Sequence, residues 1–364
     1  MEKDIKEDLI ELSITSLINC LEESNVKDKF VKEIPVSRYE KIIKFMRDES
    51  TVIQMRDFHN WVKLVLISNV TEYFWKMFHK DSISLLDIST GRGGDLSKWK
   101  KAYISNVFAF DISEQSIEST DPENQGAKER LKGLQKKGYS VNVMFDVGDA
   151  ANPSPELNKS ITTFLTKNKI GKFDLVSCQF ALHYYFESET ALRNVLSMVS
   201  NYLRKGGFFF GTTIDGAKIR QYFDFLPEGE TVFRRKLYRI ERQFPKKIRN
   251  PFGNKYNFTI YDTFDKTNYF NTMGTSTEYL VNFDTLNKLA KEYSLQPVNV
   301  NFFEKWSPTG NKKDTAYINH LNNHIQFQEI FETGKWSPYT KGDSITPEEL
   351  ELSFLNSTFC FQKV

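Results

Sequence analysis

Three acidic residues each sit at the end of a short apolar run: Asp87 in SISLLDI (82–88), Asp111 in VFAFDIS (107–113) and Asp149 in VNVMFDVGD (141–149). Asp87 opens the stretch Ile88-Ser89-Thr90-Gly91-Arg92-Gly93-Gly94-Asp95, and DLSKWKKA then starts a helix. A strand, a glycine loop and a helix in this order bring a ligand close to backbone N–H groups at a helix N-terminus. The loop has acids at both ends and lacks the GxGxxG phosphate cradle. A pyrophosphate would be repelled there, whereas the zwitterionic, sulfonium-bearing S-adenosylmethionine tolerates nearby carboxylates. Asp111 suits bidentate hydrogen bonding to ribose hydroxyls, and Asp149 is placed to accept the adenine amino proton. Each acid alone is equally well read as a solvated strand end or a helix cap. Together, on three consecutive strand ends, they favour a site.

Holding three strand ends on one rim requires a particular scaffold. FDLVSCQF (173–180) and GGFFFGTT (206–213) continue the series of buried strands. Helical patterns intervene, such as SETALRNVLSMVSNYL at 188–203, and a long helix runs from Arg56 to Phe78 before the first strand. Strands alternating with helices predict a doubly wound α/β domain, with a mostly parallel, Rossmann-like sheet. A helix at 283–295, followed by PVNVNFF (297–303) and TFCFQKV (358–364), completes seven strands with an antiparallel pair. Residues 1–50 read as a charged helical extension and 51–364 as the main domain. The polar, aromatic and basic stretch 214–282 reads as an inserted substrate-binding segment. Residues 304–354 show the least pattern.

Composition narrows the function classes. The 364 residues carry a net charge of only +2, so any nucleic-acid contact has to be local. Residues 234–249 supply one such patch, with Arg234, Arg235, Lys236, Arg239, Arg242, Lys246, Lys247 and Arg249 against Glu241 alone. Most charge runs are only solvated faces; contact with a triphosphate or RNA is the sharper expectation. Cys20, Cys178 and Cys360 are far apart with no CxxC or Cys/His pairing, which argues against a zinc site or a disulfide framework and fits a reducing compartment. The charged start, MEKDIKEDLI, is unlike a signal peptide, and no run of about 18 apolar residues predicts a membrane span. No Ser/His/Asp set, catalytic carboxylate pair or metal cluster stands out.

Five segments, in order, resemble the cellular messenger-RNA cap guanine-N7 methyltransferase family: MRDFHNWVK (55–63), LLDISTGRGGDLSKWKK (85–101), SCQFALHYYFES (177–188), GGFFFGTT (206–213) and TEYLVNF (277–283). The resemblance implies that Lys63 pairs with the carboxylate of S-adenosylmethionine. It implies that Asp87, Ser89, Gly91 and Asp95 shape the methionine end, Asp111 the ribose and Asp149 the adenine, with Gln179 and Tyr184 beside the sulfonium. His59, Asn60, Arg92, Phe180, His183, Tyr184 and Glu278 are implied on the guanine and phosphate side. Ser89 departs from the family's usual glycine, where a Cβ restricts the backbone and crowds the cofactor. Arg92 replaces a usual lysine, His59 a usual asparagine, and Asn356 aligns with a cap-contacting tyrosine.

The implied reaction is methyl transfer to guanine N7 of a GpppN cap. That nitrogen already presents an in-plane lone pair, so alignment for in-line displacement takes the place of acid or base catalysis. Glu278 is expected to accept from the guanine N1 and N2 protons, a donor pair adenine lacks. His183 is expected near O6, although outside this motif a core histidine would be the plainer reading. Phe180, Tyr184 and Tyr185 offer stacking faces worth about 1–3 kcal/mol per base. A methyltransferase for another RNA position or a small molecule, and an inactive RNA-binding relative, are the alternatives. The expected partners are capped RNA and, beyond it, capping machinery, polymerase or an activating subunit. A monomeric catalytic unit, no membrane association and a nuclear setting, or a cytoplasmic one for a virus, are also expected.

Overall fold

A computed structural model describes residue 50, residues 52–261, 275–298 and 324–333, residue 336 and residues 344–364. The expected extension over residues 1–50 therefore falls, but for Ser50, outside the described residues.

Helix α1 (Ile53–Phe78) buries Phe58, Trp61, Val65, Ile67 and Phe74, together with polar Ser68, Asn69 and Thr71. Apolar and small side chains on several faces suit a helix that is covered on more than one side. Its start lacks a local side-chain cap. Instead Glu349, far along the chain, accepts from the Gln54 and Met55 N–H groups at 3.0 and 3.1 Å. His79 ends the helix in the left-handed conformation, with φ 47°.

The chain then alternates: β1 (Ile83–Ile88), α2 (Leu96–Lys101), β2 (Ile104–Asp111), α3 (Glu114–Glu118), α4 (Ala127–Gln135), β3 (Asn142–Val147), α5 (Pro155–Lys167), β4 (Phe173–Gln179), α6 (Glu189–Tyr202) and β5 (Leu203–Ile214). A 3-10 turn, Leu182–Glu187, lies between β4 and α6. Ser113, Ser154 and Ser188 cap α3, α5 and α6 by accepting backbone N–H groups. β1 and β4 are buried along their whole length, as expected of parallel strands covered on both faces. The three consecutive phenylalanines of β5 divide by the two-residue period: Phe208 and Phe210 enter one core and Phe209 the other.

Helix α7 (Gly216–Asp224) follows, then β6 (Val232–Arg234), β7 (Tyr238–Arg242), β8 (Lys255–Ile260) and β9 (Thr275–Tyr279), which form a separate antiparallel sheet in the order 6-7-8-9. The inserted segment is thus a small sheet with its own core. Tyr238, Ile240 and Tyr256 pack there with Val52 and Met55 of the α1 region and Leu352 near the C-terminus.

The chain ends with α8 (Phe283–Glu292), β10 (Leu295–Pro297), β11 (His324–Gln326), α9 (Phe327–Thr333), α10 (Pro347–Ser353) and β12 (Asn356–Lys363). The main sheet runs β10-β12-β5-β4-β1-β2-β3, with β11 added on β12. β1 to β5 are parallel; β12 is antiparallel to β5, β10 and β11. The doubly wound, mostly parallel seven-strand path is as expected, and β11 makes an eighth strand.

Some boundaries differ. The strand expected at 297–303 is β10, which starts two residues earlier and ends at Pro297; residues 299–303 fall outside the described residues. Residues 304–354, which showed little pattern, contain β11, α9 and α10. Chain order reverses between β1 and β4, and ligands bind at the carboxyl ends of strands beside such a switch point.

Candidate active site

At that carboxyl rim lies a cavity of about 570 Å³. β1 and β2 bring Asp87 and Asp111 to it, and the loop between them adds Ser89, Gly91 and Asp95. Three loop residues have left-handed φ: Ser89 at 61°, Gly91 at 54° and Gly93 at 70°. The Ser89 hydroxyl is hydrogen-bonded to the Tyr185 hydroxyl at 2.6 Å. Asp111 accepts from the Gly91 N–H (2.8 Å) and the Ser113 N–H (2.9 Å), which fixes its carboxylate against the loop. Burial still raises its pKa despite those two donors.

Charge on the floor of the cavity is paired unevenly. Asp95 sits 2.7 Å from Lys63 Nζ and 2.9 Å from Lys98 Nζ. Burial pushes the Asp95 carboxyl up, but the two ammonium groups more than offset it and hold the group well below the usual carboxylate range. Among the described residues no cation forms an ion pair with Asp87, and Lys63 lowers its pKa only as the smallest of the contributions. Its burial, with the Asp95 charge beside it, pushes its pKa up to about 7. A buried carboxyl beside a cavity, without an ion pair of its own, is a place for a ligand ammonium. The adjacent Lys63 ammonium has three donors, enough for both Asp95 and a ligand carboxylate. The zwitterionic end of an amino acid fits these two groups.

The other half of the cavity is aromatic and polar. Phe180 follows β4 with φ 54°, and its N–H donates to the Thr212 carbonyl at 2.8 Å. Its ring stacks on His59, with centroids 5.1 Å apart. His59 in turn is hydrogen-bonded to the Ser353 hydroxyl at 2.8 Å, and burial, helped by Lys63, lowers its pKa to about 3. Gln179 accepts from the Thr212 hydroxyl at 3.1 Å. His183 is 3% exposed, and neither ring nitrogen has a hydrogen-bond partner among the described residues. Burial lowers its pKa, although Glu278 at 3.9 Å opposes this. Tyr184 lies over His183, at 4.2 Å between centroids, and remains 41% exposed. Glu278 is buried on β9; one oxygen accepts from the Tyr256 hydroxyl (2.9 Å) and the other from the Ser276 hydroxyl (2.6 Å).

Twelve residues expected at the site line this one cavity: His59, Lys63, Asp87, Ser89, Gly91, Arg92, Asp95, Asp111, Gln179, Phe180, His183 and Tyr184. Glu278 and Asn356, also expected there, join them. Three expected residues do not line it: Asn60, Asp149 and Tyr185, whose ring is buried and whose hydroxyl is hydrogen-bonded to Ser89 rather than offering a stacking face to the cavity. The Asn60 side-chain Oδ1 accepts from Lys98 Nζ at 2.9 Å, and Asp149 Oδ1 accepts from the Ala151 N–H at 2.8 Å. Arg92 is buried, with its guanidinium donating to the Asn124 carbonyl. None of the eight basic residues of 234–249 lines the cavity. Arg235 pairs with Glu351 (2.7 Å), Lys236 with Glu348 (3.3 Å) and Arg239 with Glu241 (2.7 Å), so part of that run is structural. Sequence reasoning missed Tyr256 and Ser276, and the apolar wall of Met55, Ile214, Phe258 and Leu352. Among the described residues no group of three His, Cys, Asp or Glu could hold a metal, and no helix is long and apolar enough to cross a membrane. Cys178 and Cys360 are buried free thiols.

Residues 22–364 match the mRNA (guanine-N(7))-methyltransferase domain. The chain belongs to that family. Among curated relatives, the mRNA cap guanine-N(7) methyltransferase of Schizosaccharomyces pombe is 32% identical over 259 residues, covering 71% of this chain and 64% of the relative. The mRNA cap guanine-N(7) methyltransferase 1 of Arabidopsis thaliana is 31% identical, covering 70% of this chain and 62% of that one. The Eremothecium gossypii protein is 28% identical over all of this chain and 76% of its own length. The chain thus spans less than two thirds of the first two of these relatives. The guanine-N7 methyltransferase family match covers the β1 loop, the turn after β4 and β9, the elements that carry the cavity.

Proposed function

We propose that this protein transfers a methyl group from S-adenosylmethionine to guanine N7 of the 5′ cap (GpppN) of RNA. The observation that carries the reading is the convergence of two unlike sets of groups on one cavity. Asp87, Asp111 and Lys63 suit a zwitterionic nucleoside, and buried His183 and Glu278 suit the polar edge of a purine.

S-adenosylmethionine, when bound, supplies an electrophilic methyl group. The chain's own residues bind, orient and exclude water. Asp87 faces the amino end and Lys63 the carboxylate end, while Asp111 accepts from ribose hydroxyls with the lone pairs its loop leaves over. Each Glu278 oxygen accepts one bond from Tyr256 or Ser276 and keeps capacity for a guanine donor, N1–H or N2–H. Adenine offers no such pair and would set its unprotonated N1 lone pair against the carboxylate, which disfavours it. His183, whose pKa burial lowers, has ring nitrogens without a partner among the described residues and can donate to the O6 side. N7 needs no base, and the Glu278 charge opposes the positive charge the ring acquires on methylation. Phe180, stacked on His59 and tied to Thr212, is a rigid wall that limits the purine's movement.

The deciding experiment compares GpppN-RNA, free GTP and uncapped RNA as methyl acceptors. Capped RNA is expected to be methylated at N7; transfer to uncapped RNA at an equal rate would overturn the reading. Capped RNA is the proposed partner, with capping machinery, polymerase or an activating subunit beyond it. The proposal extends to a monomeric catalytic unit working in the nucleus, or in the cytoplasm if the protein is viral.

A further inference from the structure

Ser89 is a serine in a backbone conformation that glycine adopts freely and other residues avoid. Its φ of 61° lies in the left-handed region, at the first residue after β1, on the cavity wall. A Cβ there carries a steric penalty, so a serine persists only if something else holds the backbone. The candidate is in direct contact: the Ser89 Oγ lies 2.6 Å from the Tyr185 hydroxyl. Tyr185 is 6% exposed and sits in the Leu182–Glu187 turn, which also carries His183 and Tyr184. Burial pushes its pKa well above the usual value, so the phenol keeps its proton and can donate. On the other side of Ser89, the Thr90 N–H is tied to the Phe110 carbonyl at 3.0 Å. The residue is therefore pinned toward both β2 and the turn that carries the purine-side groups.

We propose that the Ser89 and Tyr185 hydroxyls form a latch that keeps the β1 loop in its left-handed, ligand-ready conformation, making both of them positioning residues for the cofactor's methionine end. The inference rests on reading this rim as the cofactor subsite. It replaces the simpler idea that Ser89 only crowds the cofactor where relatives of the family usually have glycine. In the latch account the serine exchanges backbone freedom for a hydrogen bond. That bond also couples the cofactor loop to the His183 turn.

The two accounts rank substitutions differently. Ser89→Ala keeps the Cβ and its penalty but removes the bond. Ser89→Gly removes both. Tyr185→Phe removes the bond alone, in a buried and nearly isosteric way. With the full chain, calorimetric titration with S-adenosylhomocysteine should show Ser89→Ala weakened about five- to tenfold, as for loss of one buried hydrogen bond. Ser89→Gly should regain most of that loss. Tyr185→Phe, made in the wild-type chain, should weaken binding about as much as Ser89→Ala does. Combined with Ser89→Ala or with Ser89→Gly, it should add little. In steady state, KM for S-adenosylmethionine should rise more than kcat falls. A Ser89→Ala variant that binds at least as well as the wild type, with Ser89→Gly tighter than both, would show crowding and overturn the latch. So would an equal effect of Tyr185→Phe in all three backgrounds, or an affinity unchanged across the set. No saturable uptake by the wild type would overturn the cofactor reading itself, and the latch with it.

Discussion

His183 Nε2 lies 3.9 Å from Glu278 Oε1, and both side chains are buried on the wall of one cavity. The imidazole comes from the turn after β4 and the carboxylate from β9 of the inserted sheet. Burial keeps the histidine's pKa low, and both its ring nitrogens lack partners among the described residues. Polar groups this deeply buried are normally satisfied, so the orphaned ring is set up for a ligand. His183→Ala should therefore raise KM for capped RNA about tenfold, the loss of one buried hydrogen bond. Cofactor affinity should be retained; an unchanged KM would return His183 to a packing role.

The Asp87 carboxyl should make cofactor binding depend on pH. In the folded protein its pKa is raised to about 7 by burial, then by Asp95. Its contribution to stability is thus present below the ordinary carboxylate range and is lost as pH rises through about 7. A ligand ammonium favours the ionised form, so binding below that point must release a proton. Affinity for S-adenosylhomocysteine should climb toward about pH 7 and level off above it. Asp87→Asn should bind more weakly and lose the slope. Calorimetry in buffers of different ionisation enthalpy measures the proton directly, and an equal slope in the Asn variant would rule out Asp87 as its source.

Tyr256 and Ser276 hold the two oxygens of Glu278. Burial, with Glu278 beside it, keeps the Tyr256 pKa well above its usual value, so the phenol remains a donor. Tyr256→Phe should raise KM for capped RNA about fivefold, and Ser276→Ala about as much. The double variant should lose more than either. Guanine-over-adenine discrimination, measured with GpppN and ApppN acceptors, should fall in parallel.

Glu349 is expected to matter for stability rather than chemistry. It caps α1 through the Gln54 and Met55 N–H groups, and its other oxygen accepts from Thr346 in the capping box of α10. Glu349→Ala removes the acceptor that the Gln54 and Met55 N–H groups share and should cost about 1–3 kcal/mol. Thermal unfolding would register it as a lower Tm, whereas an unaltered Tm would mean that α1 is held by packing alone.

Which parts of this site could be read from sequence follows from how local their causes are. Asp87 and Asp111 were visible because each ends an apolar run, and a strand's end fixes where its last side chains go. Ser89 was visible as a serine in a glycine position, and its positive φ explains why glycine is usual there. Asp149 and Asn60 lie off the cavity because other groups hold them. Asp149 turns back to the N–H two residues on, a bond short polar side chains readily make, and Asn60 is taken by Lys98. Tyr256, Ser276 and Glu349 carried no signal, because their partners are set by tertiary pairing. The inserted sheet was hidden by its short strands and by arginines that read as a binding patch. Arg235 and Lys236 pair with acids of α10, contacts that tertiary structure alone sets. α9 and α10 have seven residues each, too few for a clear helical period.

The central claim is that a buried carboxylate on β9 selects a guanine and holds it against the cofactor rim. Labelled-methyl transfer to GpppN-RNA by the wild type and by Glu278→Ala, with S-adenosylhomocysteine affinity measured on both, tests it most directly. The account predicts a rate at least about 100-fold lower in the variant, the loss of two hydrogen bonds to a charged group, with cofactor affinity intact. A variant that methylates capped RNA at close to the wild-type rate would contradict it.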